Sequence, residues 1–415
     1  MTTRRTLLKT AAVAAPALAL GAARPAQAAG VLVTGVMPAQ LASFDTAMKT
    51  FVTERSISAA QLAVARNGKI LAARGYGSYS RNGGSRAQVQ PTSLFRIASL
   101  SKNITAAAVM RLVQDGKLSL TARLPQLLGL STAADARLGE VTVLRLLQHL
   151  GGWDRDVSKD PLWLDHTIAA TLDIPLPIEH ADIVKYRTER PLDFDPGSRY
   201  AYSNYGYMLL GRIIEKVSGQ SYESYVRTKL LTPAGISRMR LGRSLSNERP
   251  ITEVDYASKY TNKTVMDTSG TVVPYQWGGF NMPNQDANGG WLASAVDLVK
   301  WGFVFNGPGA VLNAASLSAI FAKPETGMQT GSWWYGGGWQ VRTSGSGINT
   351  WHNGSMPGTF SFMARLSSGI SYVAIFNRRE EEGSPDFDGI DPILGKAAGA
   401  VTTWPTTDLT PRYFA

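Results

Sequence analysis

The sequence predicts an α+β fold, with one sheet built from both ends of the chain and a mainly helical lobe supplied by the middle. Near the N-terminus, Asn67-Gly68 separates two β-rich runs, and this dipeptide favours the type I′ turn of a hairpin. Near the C-terminus, residues 367–370 separate two further β-rich runs. Helical segments and Pro/Gly-rich loops fill about 117–290, so the sheet is interrupted by a helical insertion.

The first 28 residues predict a bacterial signal peptide. A charged start, an Ala/Leu-rich segment and the small-residue site Ala26-Gln27-Ala28 have the order of a secretory leader. The pair Arg4-Arg5 resembles a twin-arginine signal, with an ordinary Sec leader as the alternative. We therefore expect an exported, periplasmic or extracellular protein, whose residues 29–415 form a single catalytic domain.

Each element of that domain has its own pattern. Apolar residues at helical spacing predict helices over 38–55 and 99–114, and the run 61–76 predicts the first hairpin. Further predicted elements are helices over 207–217, 222–231 and 392–401, and strands over 337–343, 359–366 and 371–377. The sheet lobe is thus expected over about 36–115 and 290–415, and the helical lobe over about 116–289.

Composition excludes several classes of function. The chain has no cysteine and four histidines without a close pair, so thiol catalysis and a histidine-built metal site are not expected. The formal net charge of +11 comes from scattered residues, four of them in the leader, and does not predict nucleic-acid binding. No later stretch is apolar enough to span a membrane. We expect no metal or organic cofactor.

A serine and a lysine three residues apart form the first candidate for chemistry. Ser99 and Lys102 stand at the start of the predicted 99–114 helix, where this spacing puts a hydroxyl and an amine on one face. Unpaired N–H groups at a helix start also favour the negative charge of a tetrahedral intermediate. A lysine whose pKa is lowered by burial can take the serine proton. Alone, the same pattern is also typical of a solvated helix start.

Tyr202 and Asn204 form the second candidate, within the segment FDPGSRYAYSNYGY at 194–207. A phenol beside a lysine ammonium can have a pKa far below its usual value of about 10, and could then relay a proton to a leaving group. Asn204 has a donor and an acceptor, which suits orienting Lys102 and a substrate carbonyl. Tyrosine-rich loops also occur in ordinary packing.

The third candidate is His352-Asn353-Gly354, which is flanked by strand signals. Gly354 would let a substrate backbone approach the strand edge closely. A surface histidine in a turn is the alternative. In the segment VTVLRLLQHLGGW, His149 is expected to be structural, and 288–298 is expected to return the chain to the sheet without adding chemistry, with Ser294 as a helix N-cap.

Together the three motifs resemble the serine β-lactamase superfamily, which includes class C β-lactamases, D,D-peptidases and family VIII-type carboxylesterases. The similarity covers FRIASLSKNITAAAVMRLVQDGKLSL at 95–120, the tyrosine motif and the histidine triplet, in the expected order. It implies an antiparallel sheet with helices on both faces, a helical lobe, and an active site in the crevice between them.

The same resemblance implies roles for individual residues. Ser99 would be the acylated nucleophile, and Lys102 and Tyr202 would handle its proton. The substrate-binding and oxyanion residues would be Asn204, His352, Asn353, Gly354 and Ser355, with the backbone N–H groups of Ser99 and Ser355 forming the oxyanion hole. The nearby aromatic residues are interpreted as either an apolar substrate wall or packing under the sheet: Trp333, Trp334, Tyr335 and Trp339.

The triplet departs from the pattern of typical β-lactamases. His352 stands where they have a lysine, and Asn353 where they have a hydroxyl residue, so the cation for a substrate carboxylate is missing or pH-dependent. The leading interpretation is a serine hydrolase acting on small esters or amides, including D-amino-acid or peptidoglycan-related ones. A D,D-peptidase or penicillin-binding protein, then a β-lactamase, are the enzymatic alternatives, and a non-catalytic envelope-binding protein is the other. The substrate would be a small molecule or peptide, and the oligomeric state stays open.

Overall fold

The computed structural model describes residues 30–82, 84–329 and 331–414. The predicted leader over 1–28 lies outside these ranges. Within them, every helix is too short or too polar to traverse a lipid bilayer.

The described residues contain short and long strands from both ends of the chain. They are β1 (Val33–Val36), β2 (Ala59–Arg66), β3 (Lys69–Ser80), β4 (Arg86–Gln88), β5 (Phe95–Arg96), β6 (Arg240–Leu241), β7 (Thr261–Lys263), β8 (Val272–Pro274), β9 (Trp291–Ala293), β10 (Trp334–Tyr335), β11 (Gln340–Ser344), β12 (Gly347–Met356), β13 (Thr359–Arg365) and β14 (Ile370–Phe376).

The helices lie mostly between these two groups of strands. They are α1 (Ala42–Glu54), α2 (Ser101–Gln114), α3 (Leu124–Leu128), α4 (Val143–Leu147), α5 (Asp165–Leu172), α6 (His180–Thr188), α7 (Asn204–Ser218), α8 (Tyr222–Val226), α9 (Ala295–Gly302), α10 (Ala314–Ile320), α11 (Ile390–Gly399) and α12 (Thr410–Tyr413). A π-helical turn over Arg227–Leu231 continues α8, and a 3-10 turn over Ala98–Leu100 leads into α2.

Nine strands of the described residues form one sheet in the order β1-β3-β2-β14-β13-β12-β11-β10, with β4 added beside β3. The N-terminal strands join the C-terminal ones where β2 pairs antiparallel with β14, with Ala60 opposite Phe376. The hairpin turn between β2 and β3 has positive φ at both Asn67 and Gly68 (50° and 76°), as the sequence predicts for a type I′ turn.

Helices cover both faces of this sheet. On one face α1 and α11 bury an aromatic-rich core, in which Phe44 and Phe51 meet Phe362 and Phe376. On the other face lies a larger core that continues into the packing of α2 against α7. Because neither face meets water, β2 and β13 are almost continuously buried rather than alternating.

The predicted α+β fold is confirmed, with differences at element ends. The helix predicted over 99–114 starts as an α-helix only at Ser101, because Ala98–Leu100 takes the tighter 3-10 geometry. The triplet at 352–354 lies inside the ten-residue strand β12, which rules out the alternative of a histidine in a surface turn.

Candidate active site

Ser99 lies in the 3-10 turn between β5 and α2. The residue before it, Ala98, has φ of 47°, a left-handed conformation that non-glycine residues rarely adopt and that tends to occur at functional sites. Ala98 is almost wholly buried, among Phe280, Met282 and Met356, so packing maintains this conformation. The turn places Ser99 at the wall of a cavity.

Hydrogen bonds with β13 and β9 fix the backbone that leads into this turn. Ser361 Oγ donates a hydrogen bond to the carbonyl of Ile97 (2.7 Å), and Thr359 Oγ1 donates to the carbonyl of Arg96 (2.8 Å). The amide of Ile97 donates to the carbonyl of Trp291 (3.0 Å). The backbone before Ser99 is therefore fixed by two strands that are distant in sequence.

Gly354 allows β12 to pass directly against the same turn. A Cβ atom at this position would lie 2.3 Å from the carbonyl oxygen of Ile97, 2.5 Å from Ser361 Oγ and 3.0 Å from the amide nitrogen of Ser99. Gly354 was expected to let a substrate backbone approach the strand. The backbone that approaches it closely is instead the protein's own, at Ile97 and Ser99.

Lys102 is fully buried and its ammonium has three acceptors. Its Nζ lies 3.1 Å from Ser99 Oγ, 2.7 Å from Asn204 Oδ1 and 2.8 Å from the carbonyl oxygen of Asn288. Burial lowers the pKa of Lys102 well below its usual value, and this effect outweighs the attraction of the Asp160 carboxylate. Burial therefore favours the neutral form of this amine more than solvent would.

Two of these partners were not found by sequence reasoning. The segment containing Asn288 was expected to add no chemistry, yet its carbonyl accepts from Lys102. Asp160 Oδ2 accepts from Asn204 Nδ2 (2.6 Å), which fixes the amide so that its oxygen faces Lys102. Asp160 also caps the turn Pro161–Trp163, because its side chain accepts a hydrogen bond from the Leu162 amide. In the sequence, the pair Asp160-Pro161 therefore indicates a turn, but it does not indicate a residue of the active site.

Tyr202 lies beside this amine, with Lys102 Nζ 4.8 Å from its ring centroid. Burial raises the pKa of Tyr202 above its ordinary value, although a hydrogen bond with Ser99 opposes the rise. The expectation of a phenol with a strongly lowered pKa is therefore wrong: desolvation of the phenolate outweighs the nearby positive charge. The raised pKa keeps the phenol protonated at neutral pH, so it can act as a proton donor.

His149 packs behind Tyr202 and does not enter the cavity. Its ring lies 4.4 Å from that of Tyr202 and 4.3 Å from that of Tyr335, and its Nδ1 accepts from the Ser203 amide (3.1 Å). Burial first, and then the charge of Lys102, lower the pKa of His149 well below its usual value. This contact geometry is that of a neutral, structural histidine.

His352 is likewise buried, on the α2 side of β12. Its Nε2 pairs with the Tyr335 hydroxyl (2.9 Å), and it does not line the cavity beside Ser99. Burial, followed by the charge of Lys102, lowers the pKa of His352 to about 3. The ring is therefore neutral at physiological pH, and its place behind Tyr335 does not match the direct substrate contact expected from the resemblance.

The next residues of β12 border the cavity. Asn353 and Ser355 both line it, but the Asn353 side chain donates to Asp388 Oδ1 (2.9 Å). Ser355 is exposed and follows Gly354, which touches the turn of Ser99. Ser99 and Ser355 therefore lie on adjacent segments at the same wall of the cavity.

The cavity itself measures about 590 Å³ and has polar and aromatic walls. Trp333 and Tyr200 form one wall, with ring centroids 5.9 Å apart. The remaining members of the aromatic cluster, Trp334, Tyr335 and Trp339, are buried, and Trp339 packs on Phe305 in the core. Trp333 thus borders the cavity, where an apolar substrate wall was expected, whereas the other three residues pack in the core.

Comparison with known proteins agrees with this geometry. The sequence model of the Beta-lactamase family matches residues 44–392, which include every candidate site residue. The chain belongs to the Beta-lactamase family. Among the described residues, no three His, Cys, Asp or Glu side chains are grouped so that they could hold a metal ion.

Individual relatives agree with the family assignment. Penicillin-binding protein 4 of Amycolatopsis lactamdurans is 27% identical over 376 residues, covering 88% of this chain and 92% of the relative. A probable fimbrial assembly protein FimD of Dichelobacter nodosus is 37% identical over 134 residues, and the chain spans about a third of its length (31%).

Solved structures show the same fold. D-amino acid amidase from Ochrobactrum anthropi SV3, complexed with D-phenylalanine, superposes with a TM-score of 0.65 at 22% identity, covering 88% of this chain and 100% of the amidase. At this level of identity the likeness concerns the fold. Within the Beta-lactamase family, the substrate must be argued from the site itself.

Proposed function

We propose that this β-lactamase-family hydrolase is an esterase or amidase that acts through an acyl-enzyme at Ser99. The contacts of Lys102 Nζ carry the proposal. Two of its three tetrahedral positions are occupied by fixed acceptors, Asn204 Oδ1 and the Asn288 carbonyl, and the third faces Ser99 Oγ at 3.1 Å. Since burial favours the neutral amine, that third position carries a lone pair able to accept the serine proton.

The proposed first step forms the acyl-enzyme. Ser99 Oγ bonds to the substrate carbonyl carbon while its proton passes to Lys102. The carbonyl oxygen becomes an oxyanion bound by the backbone N–H groups of Ser99 and Ser355. Collapse of this intermediate breaks the bond to the leaving oxygen or nitrogen, which receives a proton from the Tyr202 hydroxyl. Lys102 then returns a proton to Tyr202.

The second step releases the product. Water bonds to the acyl-enzyme carbonyl carbon and gives a proton to the regenerated amine of Lys102. Collapse of this intermediate breaks the bond between Ser99 Oγ and the acyl carbon, and Lys102 returns the proton to Ser99 Oγ. The products are a carboxylic acid and an alcohol or amine. A protonated Tyr202 suits this sequence because it must donate to the leaving group before it accepts from Lys102.

Small ester and amide substrates, including D-configured or peptidoglycan-related ones, fit the proposed site best. The wall of Trp333 and Tyr200 offers apolar contact beside Ser99. D,D-peptidase activity is the second candidate, because the penicillin-binding relative aligns over 92% of its own length. Efficient β-lactam hydrolysis ranks third, since His352 supplies no cation at neutral pH.

A substrate panel tests this proposal. Purified protein lacking residues 1–28 is offered p-nitrophenyl butyrate, a D-alanyl p-nitroanilide, a D-alanyl-D-alanine peptide and a chromogenic cephalosporin. We expect turnover of the ester and anilide, and covalent labelling by a fluorophosphonate that maps to Ser99. The Ser99→Ala variant should lose both, while the control Ser246→Ala, which changes an exposed serine, should keep both. Inactivity on the whole panel would favour a non-catalytic binding protein.

We also propose that the protein is exported, on the basis of the leader-like sequence at 1–28. Expression of the full chain in a bacterium with a twin-arginine pathway, followed by N-terminal sequencing, tests this. A periplasmic product starting near Ala29 is expected, and it should disappear when Arg4 and Arg5 are changed to lysine. An uncleaved cytoplasmic product would contradict it.

A further inference from the structure

Two arginines lie at the wall of the Ser99 cavity, and they differ in their partners. Arg199 Nη1 forms an ion pair with Asp154 Oδ2 at 2.8 Å. Arg155 is exposed to the cavity, and within the described residues no carboxylate lies within ion-pairing distance of it. Asp156 also lines the cavity and reduces, without pairing, the positive potential there. Both arginines are exposed, and Arg155 is the one whose charge is not already paired with a carboxylate.

Arg155 stands close to the reacting groups. Its guanidinium carbon lies 5.1 Å from the centroid of the Tyr202 ring, which Lys102 Nζ also contacts at 4.8 Å. The positive charge of Arg155 contributes to the lowered pKa values of Lys102 and His149. A group bound by this guanidinium would therefore lie beside Tyr202, on the same cavity wall as Ser99.

The rest of the cavity wall offers no competing free cation among the described residues. Lys102 is buried and its three positions face Ser99, Asn204 and Asn288. His352 is buried behind Tyr335 and neutral. Arg155 is therefore the cation at this wall that is free to pair with a substrate anion, and a guanidinium binds a carboxylate through two parallel hydrogen bonds.

We propose that Arg155 is a specificity-determining residue that binds a carboxylate of the substrate, so that preferred substrates are anionic esters or amides. This inference rests on the proposed acyl-enzyme function. Arg155 takes no part in proton transfer. Its contact with the substrate is made in the ground state and the transition state alike, so its removal should affect KM more than kcat.

Matched substrate pairs test the proposal. One pair differs in the acyl group: the p-nitrophenyl monoester of glutaric acid against p-nitrophenyl valerate. The other differs in the leaving group: a thioester of mercaptoacetate against one of mercaptoacetamide. Removing Arg155 also raises the pKa of Lys102. Rates are therefore measured at alkaline pH, where kcat/KM no longer rises with pH. The variants are Arg155→Gln, Arg155→Lys and, as a matched control, Arg199→Gln.

For Arg155→Gln we expect about a ten-fold loss of kcat/KM confined to the carboxylate member of one pair, and carried mainly by KM. The pair that responds identifies the half of the substrate that Arg155 binds. Arg155→Lys should keep part of the wild-type preference for the carboxylate member. Asp156→Asn, with Arg155 present, should increase that preference. Arg199→Gln should change both members of each pair alike.

Equal losses for both members of both pairs in Arg155→Gln would overturn the proposal and leave Arg155 as a structural residue. So would a wild-type enzyme that shows no preference for the carboxylate members. These results differ from failure of the proposed function, in which the wild-type enzyme hydrolyses none of the four substrates.

Discussion

Tyr202 separates two buried clusters that respond to burial in different ways. The polar cluster, on one side, comprises Lys102, Asn204, Asp160 and the Asn288 carbonyl, and all of its hydrogen bonds are between fixed partners. The aromatic cluster, on the other side, comprises His149, Tyr207, Tyr335 and His352, in which each ring lies within about 6 Å of at least one other. Both contain nitrogen bases that are buried, namely Lys102, His149 and His352, whereas Asn204 and Asp160 of the polar cluster are partly buried.

The difference shows what decides whether a buried base can do chemistry. Lys102 has three acceptors and a direct contact with Ser99 Oγ, so its protonated and neutral forms are both supported. His149 and His352 have at most one polar side-chain or amide partner besides local backbone, and burial lowers their pKa values far enough to keep them neutral. Proton transfer is therefore expected in the polar cluster, and rigidity in the aromatic one.

The largest expected effect comes from removing the base of the polar cluster. Lys102→Met keeps an unbranched side chain that is one atom shorter and has no amine, so kcat/KM for a p-nitrophenyl ester should fall about 10³-fold or more. The exposed Lys185→Met serves as the control and should behave as the wild type. Activity within ten-fold of the wild type in Lys102→Met would assign the proton to another group.

A smaller loss is expected at the boundary of the two clusters. Tyr202→Phe retains the ring that packs on His149 and loses only the hydroxyl, so kcat should fall about 10²-fold while the melting temperature stays close to that of the wild type. The matched variant Tyr335→Phe removes a hydroxyl from the aromatic cluster instead. If Tyr335→Phe costs more activity than Tyr202→Phe, the assignment of chemistry to the polar cluster is wrong.

Asp160 provides a finer test of the polar cluster. Its carboxylate raises the pKa of Lys102, so Asp160→Asn should lower that pKa further and move the acid limb of the kcat/KM profile to lower pH. Loss of the oriented Asn204 amide should also reduce the plateau rate, about ten-fold. A positioning role predicts both changes. A purely structural role predicts a lower melting temperature with no movement of the limb.

Much of this arrangement was accessible from the sequence. The spacing of Ser99 and Lys102, the hairpin at Asn67-Gly68 and the ordered motifs predicted the fold and brought Ser99, Lys102, Tyr202 and Asn204 together, as the structure does. Local rules suffice for the Ser99–Lys102 pair and for the hairpin, because helix spacing and turn chemistry act within a few residues. The meeting of Lys102 with Asn204, 102 residues later, was instead implied by the family resemblance.

What the sequence could not predict depends on contacts between distant segments. The Asn288 carbonyl is a backbone group, and any residue type could supply it, so no side-chain pattern indicates it. The pKa directions of Tyr202 and His352 depend on burial, which composition does not reveal. The partner of Gly354 is the carbonyl of Ile97, more than 250 residues earlier in the chain, and only the folded sheet brings these atoms together.

The smallest effect on activity is expected in the aromatic cluster, at His352. Because its pKa is about 3, the imidazole carries no titrating proton between pH 5 and 8, so His352→Gln should leave the position of the acid limb unchanged. A glutamine amide can still pair with the Tyr335 hydroxyl. An acid limb that shifts or disappears in this variant would place His352 in the reaction.

The neutral state of His352 should also affect how the unfolding free energy depends on pH. In the unfolded chain it takes up a proton as the pH falls below about 6.5, whereas in the fold it stays neutral down to about pH 3. Between these values acid favours the unfolded state, by about 1.4 kcal/mol per pH unit for one such group. His352→Gln should therefore lose less unfolding free energy than the wild type between pH 6.5 and pH 5 in urea titrations. Equal losses would mean that the imidazole is protonated in the fold, and the two clusters would then differ less than their contacts indicate.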